Sequence, residues 1–249
     1  MNALKIYGKS WADEWTTFLA SSGANTHLLV DQDSDTVWES DGSADGVDEF
    51  VELTFNNHFG TEAMREIDRI IILNTNAKDI LIERWDGSAW VSVYTEDDIS
   101  RADLHIDLAS SIETEQLKIT IEGTQTPDED KHIGEIKACL SVFTGSQLWR
   151  SGLSVSPTQR AGDDYTVGGR LRFWREWQRW GAKLSLEFVS QADFELLRGL
   201  TKTSAPVVIV PNYVGDPGEV YECAIVSPLD WSREVKTGLY SVDLELKQI

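Results

Sequence analysis

Alternation of apolar and polar residues dominates the first half of the chain. Residues 49–55 and 117–121 alternate as half-buried strands, while residues 67–73 and 80–85 are apolar enough for more deeply buried ones. Asp86 and Gly87 predict a tight turn before a further strand at 90–94. Strands separated by Gly, Asn and Asp turns, with no long amphipathic helix, indicate an antiparallel sandwich or jelly roll.

The second half combines strand patterns with one helical pattern. Ser190 is suited to cap a helix over residues 191–200, on which Phe194, Leu197 and Leu200 share one face. We therefore predict an all-β protein with one short helix, its second half a β-sandwich or barrel. The strands predicted in this half are residues 153–156, 171–174, 183–189, 207–210, 221–226 and 240–246.

Charge divides the chain into two regions. Residues 1–145 hold 29 acidic and 10 basic residues, a net charge of −19. Residues 146–249 hold 13 acidic and 12 basic residues, a net charge of −1. This shift predicts two domains, 1–145 and 146–249. The acidic domain is expected to repel nucleic acid, anionic lipid and sulfated glycans.

Several classes of protein are disfavoured by the sequence. Its apolar runs have strand length rather than the roughly 18 residues of a membrane span, and the N-terminus lacks the apolar core of a signal peptide, so we expect synthesis in a cytoplasm. Cys139 and Cys223 lie far apart in strand patterns and are expected to be buried free thiols.

Four short motifs occur in a fixed order in the first half. They are an Asp, Thr and Trp set, an acidic-aromatic-aliphatic-acidic strand, an Asp-Gly turn before a Trp, and a Gly-Glu-Ile strand start. In sequence these are Asp31, Thr36 and Trp38; residues 49–52; Asp86, Gly87 and Trp90; and residues 134–137. Over residues 25–143 the set resembles the discoidin-like family, also called coagulation factor type C or galactose-binding-like domains. The resemblance implies a jelly-roll sandwich whose loops bind sugars, lipids or proteins.

Members of this family often hold a structural calcium ion. By the resemblance, its ligands here would be Asp31, Asp33, Thr36 and Glu135. Calcium takes six to eight hard oxygen ligands, which such a loop supplies. The alternative interpretation is an Asx-turn loop that caps the sandwich and binds no metal.

Three further residues are interpreted through the same resemblance. Trp38 and Trp90 are predicted to be core anchors rather than sugar platforms. Lys118 stands where the family usually has an Arg that makes a local salt bridge.

The second half resembles the tube-like β domain of bacteriophage tail proteins, among them distal and minor tail proteins. Residues 191–200, 206–211 and 238–246 carry the likeness, over about residues 150–249. The resemblance implies a ring, usually hexameric, whose strands continue from subunit to subunit around a channel, with DNA as passing cargo. It also implies neighbouring tail proteins as partners and a place in the virion tail after synthesis in the host cytoplasm.

One basic-aromatic cluster stands out in this acidic protein. Arg and Trp are enriched at the energetic centres of protein interfaces, so the cluster is a candidate interface; a strand-turn-strand with a solvated Arg face is the alternative. Direct DNA binding is disfavoured because a tail channel must let DNA slide. The candidate interface residues are Arg172, Trp174, Trp177 and Trp180.

No motif of a known catalytic class is found, and we predict a protein that is not an enzyme. His27, His58, His105 and His132 are scattered without ligand spacing, and His132 is expected in a surface loop. The favoured function is a structural component of a phage or phage-like tail, whose second domain builds the ring and whose first domain decorates it. The alternative is a free carbohydrate-binding, lectin-like module, and a host-surface glycan is a candidate ligand in either case.

Overall fold

The computed structural model describes residues 4–41, 46–145, 154–165, 171–202, 207–210, 221–226 and 230–248; for 154–165 and 171–182 the description covers the backbone. Strands and one α-helix make up the described elements. In chain order they are β1 Leu4–Tyr7, β2 Thr17–Ala20, a 3-10 helix Thr26–Val30, β3 Trp38–Glu39, β4 Glu49–Thr54, β5 Arg65–Thr75, β6 Ala77–Trp85, β7 Trp90–Glu96, β8 Leu104–Thr114, β9 Gln116–Thr124, β10 His132–Cys139, β11 Ser141–Gly145, β12 Ser154–Tyr165, β13 Leu171–Val189, α1 Gln191–Leu200, β14 Val207–Val210, β15 Tyr221–Ile225, β16 Asp230–Arg233 and β17 Tyr240–Gln248. The all-β class predicted from the sequence is confirmed.

The chain divides into two compact units. Ser10–Ser141 form one, and the described residues from Val142 onward form the other together with residues 4–9. The sequence placed its domain boundary at 145/146 and assigned the N-terminus to the first domain. The structure differs at the N-terminus because β1 pairs antiparallel with β14, with Ile6 opposite Ile209. The apolar Ile6 thereby completes the core of the second unit.

Two antiparallel sheets face each other in the unit Ser10–Ser141. One has the strand order β3-β10-β5-β8 and the other β2-β4-β9-β6-β7. Alternate residues of both sheets enter one shared core, as the period-2 pattern predicted. Fully buried members include Ile70, Ile72 and Leu104 from the first sheet and Leu53, Leu117, Ile119 and Ile82 from the second.

Trp38 anchors the loop before β3 in this core. Its side chain has no exposed surface, and its Nε1 donates a hydrogen bond to the carbonyl of Ser22 at 3.3 Å. Burial of a large apolar side chain stabilises a fold by about 1.5–3 kcal/mol. The prediction that Trp38 is a core anchor is therefore confirmed.

The turn that precedes Trp38 lies against the end of the first sheet. Asn74 Nδ2 donates to the carbonyl of Ser34 at 2.8 Å. A Cβ added at Gly134 would lie 2.5 Å from that same Ser34 carbonyl oxygen and 3.0 Å from the Asn74 Cβ. The turn can approach β10 this closely because Gly134 has no side chain.

The second unit is built on one long sheet in its described part. The strand order is β11-β1-β14-β15-β17-β13-β12, with β16 also pairing with β17. Helix α1 packs Phe194 and Leu197 into the core against Val242, Leu244 and Leu246. Ser190 Oγ accepts a hydrogen bond from the Asp193 N–H at 3.1 Å, so the predicted helix and its cap are confirmed.

Strands β12 and β13 form a long hairpin. β13 pairs with β17 from Gly181 onward, whereas its residues from Leu171 to Trp180 pair with β12 alone among the described strands. This two-stranded arm, residues 157–165 with 171–180, is about 30 Å long at the usual rise per residue. The turn in the strand-turn-strand alternative is wrong, because Leu171 to Trp180 pair continuously with β12, with one register shift at Arg160/Ala161. The solvated Arg face of that alternative stays a prediction.

Both cysteines are buried free thiols, as predicted. No helix in the described ranges is long and apolar enough to cross a bilayer.

Gly134→Ala is expected to lower the free energy of unfolding of the unit Ser10–Ser141 by about 1–3 kcal/mol, because the added methyl overlaps the Ser34 carbonyl oxygen. Chemical denaturation followed by tryptophan fluorescence measures the change. Gly199→Ala in α1 is the matched control, since nothing lies within 4 Å of its added carbon and alanine favours a helix. An unchanged midpoint for Gly134→Ala would show that the turn does not rest on β10.

Candidate functional site

A cleft opens in the unit Ser10–Ser141, beside the turn that precedes Trp38. Its volume is about 530 Å3. It is formed by the segment that leads into β2, by the start of β2, and by the 3-10 helix Thr26–Val30. The lining residues are Asp13, Glu14, Thr16, Thr17, Phe18, Thr26, His27, Val30 and Asp31.

Local hydrogen bonds hold the first segment of the cleft in shape. Asp13 Oδ1 accepts from the Trp15 N–H at 3.0 Å, and Thr16 Oγ1 donates to the carbonyl of Trp11 at 3.0 Å. Thr17 Oγ1 accepts from Asn56 Nδ2 at 2.8 Å. Short polar side chains that bond to the nearby backbone define turns in this way, so this wall of the cleft is preformed.

Charged and aromatic groups of the cleft remain accessible. Glu14 and His27 are exposed, and no described group makes a hydrogen bond or an ion pair with either side chain. Phe18 lines the cleft while it packs partly against the core. Trp15 lies between two lining residues and is 45% exposed. The cleft therefore combines carboxylate acceptors with aromatic surface.

The predicted calcium loop is a set of turns in the structure. Asp31 Oδ1 accepts from the Asp33 N–H at 2.9 Å, and Asp31 Oδ2 accepts from the Thr36 hydroxyl at 2.8 Å. Asp33 Oδ1 accepts from the Asp35 N–H at 3.1 Å. The structure thus brings Asp31, Asp33 and Thr36 together, and their oxygens are of the type that calcium takes.

Glu135 does not join these three residues. Its Oε1 lies 2.5 Å from Lys137 Nζ, and the two side chains are each 6% exposed. No cluster of three or more His, Cys, Asp or Glu side chains suited to a metal occurs in the part of the chain that is described. The donor set inferred from the resemblance is therefore not assembled as a whole, and calcium binding stays a prediction.

The candidate interface residues all lie on one strand. Arg172, Trp174, Trp177 and Trp180 lie on β13, in the two-stranded arm. Their side chains fall outside what the structure describes. Their role at an interface also stays a prediction.

Trp90 is not the core anchor that the sequence predicted. It starts the edge strand β7, is partly exposed and makes an edge contact with Trp85 at a centroid distance of 5.5 Å. Lys118 Nζ lies 5.6 Å from the Trp90 ring and 4.4 Å from the Phe50 ring, and it forms an ion pair with Glu52 at 3.7 Å. Lys118 therefore makes a salt bridge where the family usually has an Arg.

His132 is likewise not a loop residue. It begins β10, where its N–H donates to Asn76 Oδ1 at 3.0 Å. Burial lowers the pKa of His132 because the charged imidazolium is poorly solvated there, although Glu39 and Glu129 oppose the shift. Its place in the sheet follows from its pairing with Glu39 of β3.

Comparisons with known proteins yield likenesses to solved structures alone. No family model matches, and no curated protein matches. Chitosan-binding module 1 from the chitosanase/glucanase of Paenibacillus sp. IK-5 is 18% identical, with 52% of this chain and 97% of that chain covered and a TM-score of 0.42. The family 32 module of NanJ from C. perfringens, solved with galactose, is 16% identical. The match covers 54% of this chain and 99% of that module, with a TM-score of 0.43.

A third similar structure is a much longer protein. The GH29 fucosidase of Ruminococcus gnavus is 18% identical, and the match covers 53% of this chain but 26% of the fucosidase, with a TM-score of 0.42. At these identities and TM-scores the likenesses carry no conclusion about what this chain binds.

Glu122→Gln is expected to raise the melting temperature at pH 7. Burial, followed by the charges of Asp48, Asp97 and Asp79, raises the pKa of Glu122. The ionised carboxylate therefore disfavours the folded state, and this cost grows as pH rises through the folded pKa. Thermal unfolding at pH 7 and at about pH 3, where glutamates are protonated, measures the difference.

Glu96→Gln is the control, and it is expected to lower the melting temperature at pH 7. A hydrogen bond from Arg101 lowers the pKa of Glu96, so its carboxylate favours the folded state at pH 7, and that benefit is lost as pH falls through the folded pKa. Equal shifts of melting temperature for the two variants at pH 7 would contradict the electrostatic account.

Proposed function

We propose that the unit Ser10–Ser141 is a carbohydrate-binding module and that the cleft beside the Asp31 turn is its binding site. The observation that carries the proposal is the cleft itself, a preformed concavity of about 530 Å3 that joins exposed carboxylates to aromatic surface. Ligand sites usually fall in the range of about 300–1,000 Å3.

The lining suits a sugar in two ways. Sugar hydroxyl groups are good donors to carboxylates, and Glu14, Asp13 and Asp31 supply such acceptors around one opening. The apolar C–H faces of a sugar ring pack on aromatic rings, and Phe18 and the neighbouring Trp15 offer aromatic surface. The proposal rests on this lining and not on the distant likeness to solved carbohydrate-binding modules.

Glu14→Gln and His27→Ala in the full chain are expected to weaken glycan binding by about 10- to 100-fold, the range for the loss of a hydrogen bond to a charged group. A glycan array identifies a ligand, and isothermal titration calorimetry measures its affinity. Glu113→Gln, an exposed acid on β8, is the matched control and should leave affinity unchanged. If no sugar binds, or if all three variants bind like the parent chain, the cleft is not the site.

A second proposal concerns assembly, and the two-stranded arm of β12 and β13 favours it. An isolated two-stranded hairpin is marginally stable in water, and each unpaired edge is a template for another strand. Assembly would supply neighbours for the edges of the arm that are unpaired in the described part of the chain. We therefore propose, as the second function, a structural component of a phage or phage-like tail, whose second unit joins copies into a ring in the virion and whose first unit decorates it.

Trp177→Ala is expected to weaken self-association because Trp177 lies in the arm, opposite Arg160. Analytical ultracentrifugation over a range of concentrations measures the change, and circular dichroism checks that the variant folds. Trp15→Ala, an exposed tryptophan of the other unit, serves as the control and should sediment like the parent chain. A parent chain that is monomeric at every concentration would remove the basis for the assembly proposal.

A further inference from the structure

Strand β10 carries a buried ion pair at the residue to which the family resemblance assigns a calcium ligand. Lys137 Nζ donates a hydrogen bond to Glu135 Oε1 at 2.5 Å, and the two side chains are each 6% exposed. Residues two apart on a strand lie about 7 Å apart, a span that a lysine side chain can bridge. The pair therefore follows from the spacing of the two residues along one strand.

The neighbours of Lys137 fix the direction of its side chain. Ile136 and Ala138 enter the core between the two sheets. Because side chains alternate along a strand, Lys137 points to the opposite face of its sheet. Ile71, which lies opposite Lys137 on β5, is also buried. A charge withdrawn from solvent in this way requires a counter-charge close by.

A second buried cation on the same face has a carboxylate partner of its own. Arg69 lies two residues from Ile71 on β5, so the two side chains share a face. The Arg69 side chain has no exposed surface, and its Nη1 donates to Asp107 Oδ2 at 2.9 Å. On this face, basic side chains of the sheet thus supply the positive charge that its carboxylates need.

A calcium ion at Glu135 would compete with Lys137 for one carboxylate. Calcium lies about 2.3–2.6 Å from its oxygen ligands. Two cations on the same carboxylate would be less than about 8 Å apart, the screening length at physiological ionic strength, and burial weakens the screening further. Their repulsion opposes calcium binding. Moving Glu135 away from Lys137 would break a buried ion pair, which is strongly destabilising.

The other residues of the inferred ligand set are bonded within their own turn. Both carboxylate oxygens of Asp31 accept hydrogen bonds, one from the Asp33 N–H and one from the Thr36 hydroxyl. The Thr36 hydroxyl also contacts the Asp33 carbonyl oxygen at 2.9 Å. These hydrogen bonds define the shape of the turn without the help of an ion.

We propose that the Lys137 ammonium takes the place of calcium as the counter-charge of Glu135, so that the unit Ser10–Ser141 is stable independently of calcium. The unit would differ in this respect from members of the discoidin-like family that hold a calcium ion. Since the ammonium is the competing cation, its removal is expected to make the unit responsive to calcium.

Differential scanning calorimetry of the full chain in EGTA and in calcium tests the proposal. About 5 mM calcium exceeds the dissociation constants of weak calcium modules, about 0.1–1 mM. The parent chain is expected to melt at the same temperature in both buffers. Lys137→Met keeps the apolar stem and removes the ammonium. It is expected to melt below the parent chain in EGTA and to regain several degrees in calcium.

Lys118→Met is the matched control. Lys118 also pairs with a glutamate of the same unit, since its Nζ lies 3.7 Å from Glu52 Oε1. The resemblance assigns no calcium ligand to Glu52, so Lys118→Met is expected to melt alike in both buffers. Adding Glu135→Gln to Lys137→Met should abolish the gain in calcium, because the carboxylate that calcium would bind is then absent.

Three results would overturn the proposal. They are a higher melting temperature of the parent chain in calcium, a folded Lys137→Met variant that melts alike in both buffers, and a calcium gain that persists after Glu135→Gln is added. Should Lys137→Met not fold in either buffer, isothermal titration of the parent chain with calcium decides. Saturable binding overturns the proposal, and the absence of binding supports it.

Discussion

Burial of a shared apolar core between two antiparallel sheets is the constraint on which the unit Ser10–Ser141 depends. Isoleucine and leucine side chains from both sheets fill this core, and Trp38 enters it from the two-residue strand β3. Because Trp38 is fixed, the turn that precedes it is held at the end of the sandwich, where Asp31 meets the cleft. The position of polar groups at this end is thus set by apolar packing beneath them.

The two units use their strand edges differently. In the unit Ser10–Ser141 the edge strand β2 is four residues long, which limits unwanted pairing. In the other unit, β13 extends past β17 and leaves an arm of two strands without further strand partners in the described part of the chain. This contrast is the reason that assembly is proposed for the second unit and not for the first.

Much of the fold could be predicted from the sequence, but less of the site. Period-2 alternation identified the strands, and Ser190 with Phe194 and Leu197 identified the helix, because these signals are local. The pairing of β1 with the distant β14 and the edge position of Trp90 depend on long-range topology. Glu135 was assigned as a metal ligand through the family resemblance, and its ion pair with Lys137 could not be predicted from the sequence. The cleft draws on residues 13–18 and 26–31, two aperiodic segments that no motif connects.

The account depends most directly on where a ligand contacts the acidic unit. Amide chemical-shift mapping of the isotope-labelled full chain, titrated with a bound oligosaccharide, would locate that contact. The account predicts shifts concentrated in residues 13–18 and 26–31, around the cleft. Shifts concentrated instead around Lys118 and Trp90, on the outer face of the second sheet, would contradict it.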